Sequence, residues 1–101
     1  MKILTICERG NSRSVMLAFL LKDGYGHDAI ACGIRANAGE TMDMLYKWAD
    51  KIILVDKDFI PEVPQEFHSK MKVWDVGKDR FFMPNNELLT IYQDLINKDP
   101  L

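Results

Sequence analysis

Lys2-Ile3-Leu4-Thr5-Ile6-Cys7-Glu8-Arg9-Gly10-Asn11-Ser12-Arg13-Ser14 joins a short apolar run to a stretch that opens as a helix. Ile3 to Ile6 is almost continuously apolar, as suits a strand of a parallel sheet covered on both faces. Ser14 is a good N-cap type and Gly24 a good C-cap type, so the segment between them reads as a helix. Between strand and helix stand a cysteine, five spacers and an arginine. A loop of that length can curl so that its backbone N–H groups converge on one anion, while Arg13 clamps two of the anion's oxygens with its planar fork of donors. The same positive field, with the following helix N-terminus, lowers a thiol pKa and favours Cys7 as thiolate. Glu8, Arg9, Gly10, Asn11, Ser12, Arg13 and Ser14 are therefore the candidate phosphate-binding residues and Cys7 the candidate nucleophile.

Outward from this segment the pattern alternates. Ala29 to Cys32 reads as a short strand ending at Gly33, and Met42, Leu45, Trp48 and Ala49 form one helical stripe between Glu40 and Asp50. Ile52 to Val55 is the clearest strand in the chain. A loop with Pro61 and Pro64 leads to a weaker strand at Met71 to Val76, and a last helix from Asn86 to Asn97 turns Leu88, Leu89, Tyr92, Leu95 and Ile96 inward. Such alternation predicts an α/β fold with a four-stranded parallel sheet between helices. Right-handed crossovers restrict the strand order, and 2-1-3-4 is the order expected. Ligands of such sheets sit beyond the carboxyl ends of the strands at the switch point, which places the Cys7 loop between the first and third strands.

At 101 residues the chain reads as a single domain, residues 1–101, with one core. A net charge of −2 without a Lys/Arg cluster argues against a nucleic-acid surface. The longest apolar run, Val15 to Leu21, is too short to span a bilayer, and no cleavage signal precedes it, so a cytoplasmic address without membrane insertion is expected. In that compartment Cys7 and Cys32 read as one reactive and one buried thiol rather than a structural disulfide, with a transient redox pairing left open. His27 and His68 have no spaced partners for a metal or a triad, and neither metal nor cofactor is expected.

The Lys2–Ile6 strand, the Cys7-x5-Arg13-Ser14 loop, Ala31-Cys32-Gly33-Ile34, Trp48-Ala49-Asp50-Lys51-Ile52-Ile53 and a late aspartate cluster together resemble the low-molecular-weight protein tyrosine phosphatases. The closest likeness is to a small, shortened branch of that family, and it covers nearly the whole chain. The resemblance implies a three-layer flavodoxin-like fold and metal-independent hydrolysis of phosphomonoesters, preferentially phosphotyrosine. Phosphorylated proteins or small aryl phosphates would be the substrates. By this likeness Cys7 attacks phosphorus to give a phosphocysteine, Arg13 and the loop amides hold the equatorial oxygens, and Ser14 steadies the thiolate. A late-loop aspartic acid would protonate the leaving group. In Trp74-Asp75-Val76-Gly77-Lys78-Asp79-Arg80-Phe81-Phe82 that acid is Asp79, next to aromatics able to stack on a phenyl ring, with Asp75 second. The chain departs from the family in three ways. Gly10 and Asn11 stand three and four positions after Cys7 instead of two and three, Glu8 and Arg9 are charged where neutral residues are usual, and Ser12 replaces a cysteine found in some members.

Two other function classes fit the loop. One is a cysteine phosphocarrier resembling the cellobiose-type B component of the sugar phosphotransferase system; the other is a non-catalytic phosphate-binding module. Such carriers do not need the loop's terminal arginine, so Arg13-Ser14 favours hydrolysis. Taken singly, Cys7 reads as a small core hydrophobe, Arg13 as a surface cation and Asp75 and Asp79 as solvated loop carboxylates. Arg13 alone also sits at the wrong end of a helix dipole, a misfit that a bound anion would remove.

Overall fold

The continuous apolar character of Ile3–Ile6 and Ile52–Val55 is explained by where they lie. They form the two central strands of a four-stranded parallel sheet, and each of these side chains except that of Thr5 adds to a core from which water is excluded. A computed structural model describes residues 1–10, 12–77 and 86–101. The strands are β1 (Lys2–Cys7), β2 (Asp28–Gly33), β3 (Lys51–Leu54) and β4 (Met71–Val73), in the order β2-β1-β3-β4. All pairings are parallel, with Cys7 opposite Gly33 and Ile6 opposite both Cys32 and Leu54. The helices are α1 (Arg13–Phe19), α2 (Gly39–Trp48) and α3 (Asn86–Lys98).

Strand alternation divides the core into two halves. Ile3, Cys7, Ile53 and Val55 meet Leu17 of α1 and Leu88 and Tyr92 of α3 on one face. Leu4, Ile6, Cys32, Ile52 and Leu54 meet Met42 and Tyr46 of α2, with Phe59 and Phe67, on the other. Burying an aliphatic or aromatic side chain of this size contributes roughly 1.5–3 kcal/mol. The two cysteines are free and buried. They belong to opposite halves of the core, which is why neighbouring strands bring them close without pairing them.

Several boundaries differ from the sequence reading. The first helix begins at Arg13, one residue earlier than expected, and its N-cap residue Ser12 makes no side-chain capping bond. Ser14 lies inside the first turn and its hydroxyl is used elsewhere. Before Gly24 the helix widens into a π-helical segment, Leu20–Gly24. On α2 the inward stripe is centred on Met42 and Tyr46, and the sequence pattern had missed the tyrosine. The β3–β4 crossover holds two 3-10 segments, Lys57–Glu62 and Gln65–Lys70, where Pro61 and Pro64 interrupt longer helical bonding. β4 is only three residues long, yet Trp74 N–H to Leu54 C=O (2.8 Å) and Val76 N–H to Val55 C=O (3.0 Å) carry the chain onward beside β3. Among the described residues no helix is long and apolar enough to cross a membrane.

Candidate active site

β1 ends at Cys7, so its sulfur emerges at the carboxyl edge of the sheet, where β3 on one side and β2 on the other diverge into their loops. Cys7 is 1% exposed. Its Sγ lies 2.9 Å from the Ser14 Oγ and accepts the Gly10 N–H at 3.1 Å. Burial pushes the thiol up, but the Ser14 hydroxyl and the backbone N–H groups of Ser14, Gly10 and Ser12 outweigh it, and the pKa lies below its ordinary value. The Ser14 Oγ also lies 3.5 Å from the Cys32 carbonyl. One hydroxyl proton thus has two acceptors: it can point to the carbonyl while Cys7 is a thiol and to the sulfur once Cys7 is a thiolate.

Backbone proximity makes this cradle. Gly10 has φ +75°, and a Cβ there would lie 2.6 Å from the Gly33 nitrogen. A Cβ on Gly33 would lie 2.2 Å from the Arg9 carbonyl carbon. The loop after β1 therefore rests directly on the end of β2, and only two glycines permit that contact. Main-chain bonds from Ile34 N–H to Cys7 C=O and from Arg35 N–H to Glu8 C=O, each 2.9 Å, seal it. From the other side Thr5 Oγ1, the one polar side chain within the apolar run of β1, donates to the Ser14 carbonyl at 2.8 Å. Tyr92 Oη of α3 donates to the Arg13 carbonyl at 2.7 Å. Burial, and secondarily the Cys7 charge, keep Tyr92 neutral by pushing its pKa upward.

Arg13 is 2% exposed. Its Nη1 donates to the Gly77 carbonyl at 2.7 Å and lies 3.4 Å from Asp56 Oδ2, a buried carboxylate just beyond β3. Asp56 Oδ1 also accepts the Asp58 N–H at 3.0 Å, which fixes the carboxylate plane. Arg13 is thus held between the loops that follow β3 and β4. Asp75 is exposed; its Oδ1 accepts the Gly77 N–H at 2.8 Å and its Oδ2 the Lys57 N–H at 3.4 Å, so it braces the turn that presents the Gly77 carbonyl to Arg13.

Of the residues singled out from the sequence, Gly10 and Ser14 converge on the Cys7 sulfur and Ser12 contributes its N–H, while the Arg13 side chain reaches to Gly77 and Asp56. Glu8 turns its half-exposed carboxylate toward Arg35 at 3.5 Å, while Arg9 is exposed. Asn11, Asp79, Arg80, Phe81 and Phe82 lie outside the described residues. Sequence reasoning turned Tyr92 inward and put Thr5 in the first strand, but gave no site role to either, nor to Asp56 or Arg35. Asp56 carried one usable signal, a carboxylate directly after the most apolar strand and hence at the same sheet edge as Cys7. Among the described residues no group of three or more His, Cys, Asp or Glu side chains is placed to hold a metal.

No family model matches this chain, and no curated protein matches it. Among solved structures, the YwlE arginine phosphatase from Geobacillus stearothermophilus aligns with a TM-score of 0.65 over 96% of this chain and 91% of that chain, at 20% identity. At that identity the likeness is one of fold. The fold is the flavodoxin-like α/β arrangement with strand order 2-1-3-4 that the sequence led us to expect.

Proposed function

We propose that this chain is a phosphatase, a metal-independent phosphomonoester hydrolase that works through a phosphocysteine on Cys7. The observation that carries the proposal is a buried thiol, lowered in pKa by Ser14 and loop amides, at the base of a loop that ends in a buried arginine. The likeness of fold to a phosphatase adds to it. In the first step the Cys7 thiolate forms an S–P bond as the P–O bond to the leaving group breaks, and a carboxylic acid gives that oxygen its proton. Arg13 and the amides of the Glu8–Ser14 loop, Asn11 among them, bind the phosphoryl oxygens. In the second step the same carboxylate takes a proton from water, whose oxygen attacks phosphorus and breaks the S–P bond. Ser14 then donates to the departing thiolate. We assign the acid to Asp79, because Asp75 is already committed to Gly77 and Lys57 as a brace.

Phosphotyrosine in proteins is the substrate proposed first, with a cytoplasmic setting that keeps the thiol reduced. Phosphoarginine is a second reading, favoured by the name of the structural neighbour. A cysteine phosphocarrier and a non-catalytic binder are the competing classes. Turnover of para-nitrophenyl phosphate in the presence of a chelator separates them. Hydrolysis should persist, be inhibited by vanadate and vanish in Cys7→Ser, while that variant still binds phosphate. Substantial turnover by Cys7→Ser would refute the phosphocysteine, and stoichiometric phosphorylation without turnover would favour the carrier. Parallel assays with phosphotyrosine and phosphoarginine peptides decide the leaving group.

A further inference from the structure

A carboxylate next to the nucleophile is an awkward neighbour for a phosphate dianion. Glu8 is bonded directly to Cys7, with their Cα atoms about 3.8 Å apart, so its charge acts on an anion at the sulfur over a distance on the order of the Debye length, about 10 Å at 0.1 M salt. Its counter-charge comes from Arg35, in the turn that follows β2. Arg35 Nε lies 3.5 Å from Glu8 Oε1, and the rest of the guanidinium forms a two-pronged pair with Glu62 at 2.9 and 3.0 Å. The Arg35 guanidinium carbon stands 6.0 Å from the centroid of the Phe59 ring. Glu8, Arg35 and Glu62 come from the loops after β1, β2 and β3, so one guanidinium joins three loops at the rim of the site. Arg9 is exposed and forms no ion pair with Glu8 among the described residues.

We infer that Arg35 is an affinity-determining residue of the phosphate site, positioned by Glu62 and Phe59 to offset the charge of Glu8 and so ease the entry of a doubly charged phosphate. The inference rests on the proposed phosphate site, and its test does not require turnover. Arg35 acts through Glu8 and is a positioning residue, not a catalytic one. Two negative charges and one more at about 8 Å repel in water by enough to weaken binding roughly three- to sixfold, and salt reduces that penalty. A fork is not needed for this role, only a positive charge.

Binding of inorganic phosphate to the Cys7→Ser protein, measured by calorimetry at low and high ionic strength, tests it. In that background Arg35→Gln should weaken phosphate about three- to sixfold at low salt and much less at high salt. Glu8→Gln should tighten it, and Glu8→Gln with Arg35→Gln should return to within about twofold of the parent. Arg35→Lys, which keeps the charge and loses the fork, should stay near the parent. A double variant as weak as Arg35→Gln, a loss that does not depend on salt, or an Arg35→Lys loss equal to that of Arg35→Gln would each overturn the inference in favour of a purely structural latch. No phosphate binding by the parent would overturn both the site and the inference. Intact binding with no turnover by the native chain would remove the hydrolytic reading alone.

Discussion

Replacing Ser14 by alanine deletes the 2.9 Å contact between its hydroxyl and the Cys7 sulfur and leaves the Gly10 N–H, at 3.1 Å, in place. Cys7 is balanced between burial, which favours the neutral thiol, and donors that favour the thiolate, with Ser14 foremost among the donors. A hydrogen bond to a charged group is worth about 1.5–3 kcal/mol, and ~1.4 kcal/mol is a factor of ten in a protonation equilibrium. At a pH below the thiol's pKa, Ser14→Ala should therefore cut the thiolate population by about ten- to a hundredfold. The thiolate's ultraviolet absorbance, taken as the difference from Cys7→Ser across a pH titration, reads this directly and needs no reagent to reach a buried sulfur. Cys32 does not interfere, because burial and the neighbouring Cys7 push its pKa up to about 12. A Ser14→Ala curve that overlays the native one would mean that the backbone amides alone set the thiol, and the role given to the hydroxyl would be wrong.

Gly33→Ala should destabilise by about 1–3 kcal/mol as the loop is driven off β2, and the lost Gly10 contact should raise the thiol pKa; thermal melting and the same titration check both. Asp56→Asn removes a buried counter-charge 3.4 Å from Arg13 and should cost about 1–3 kcal/mol in urea unfolding, whereas a neutral result would mean that Asp56 does not hold Arg13. At alkaline pH the folded chain holds protons that the unfolded chain releases, since Cys32 is pushed from 9.0 to about 12 and Tyr46 from 10.0 to about 12, chiefly by burial. Their contribution is complete below about pH 9 and is lost as pH rises toward about 12, at up to ~1.4 kcal/mol per pH unit per group. Cys32→Ala should shallow that limb from its start near pH 9, and an unchanged slope would show that Cys32 does not contribute.

The parallel sheet was legible because Ile3–Ile6, Thr5 apart, and Ile52–Val55 are apolar without alternation, as suits strands covered on both faces, and its order because right-handed crossovers leave few alternatives. The cradle around the Cys7 sulfur was legible because a short-range pattern, Cys7 to Ser14, contains its own geometry. Asp56, Arg35 and Tyr92 were not, because their partners are remote in sequence: Asp56 and Arg13 are 43 residues apart, Tyr92 and Arg13 79. The first helix started early for a related reason. Ser14 has the side chain of a capping residue, but a sulfur seven residues away competes for its hydroxyl. No local rule for helix ends includes that competitor.

The central position of β1 also has a consequence for how the chain acquires its site during synthesis. Its first strand cannot pair until later ones appear: Thr5 reaches Ile30, 25 residues on, and Lys2 bonds to Asp50, 48 residues on. Parallel pairings of this span are slow to close. As a growing chain leaves the ribosome, Cys7 stays on an unpaired segment until β2, about a third of the way along the sequence, has followed it, and the Arg13 carbonyl gains its bond only when Tyr92 arrives. The thiol is thus open to oxidants before its protective packing exists. Refolding in the presence and absence of reductant would show the damage as inactive, Cys7-modified chains formed only while β1 still lacks its neighbours.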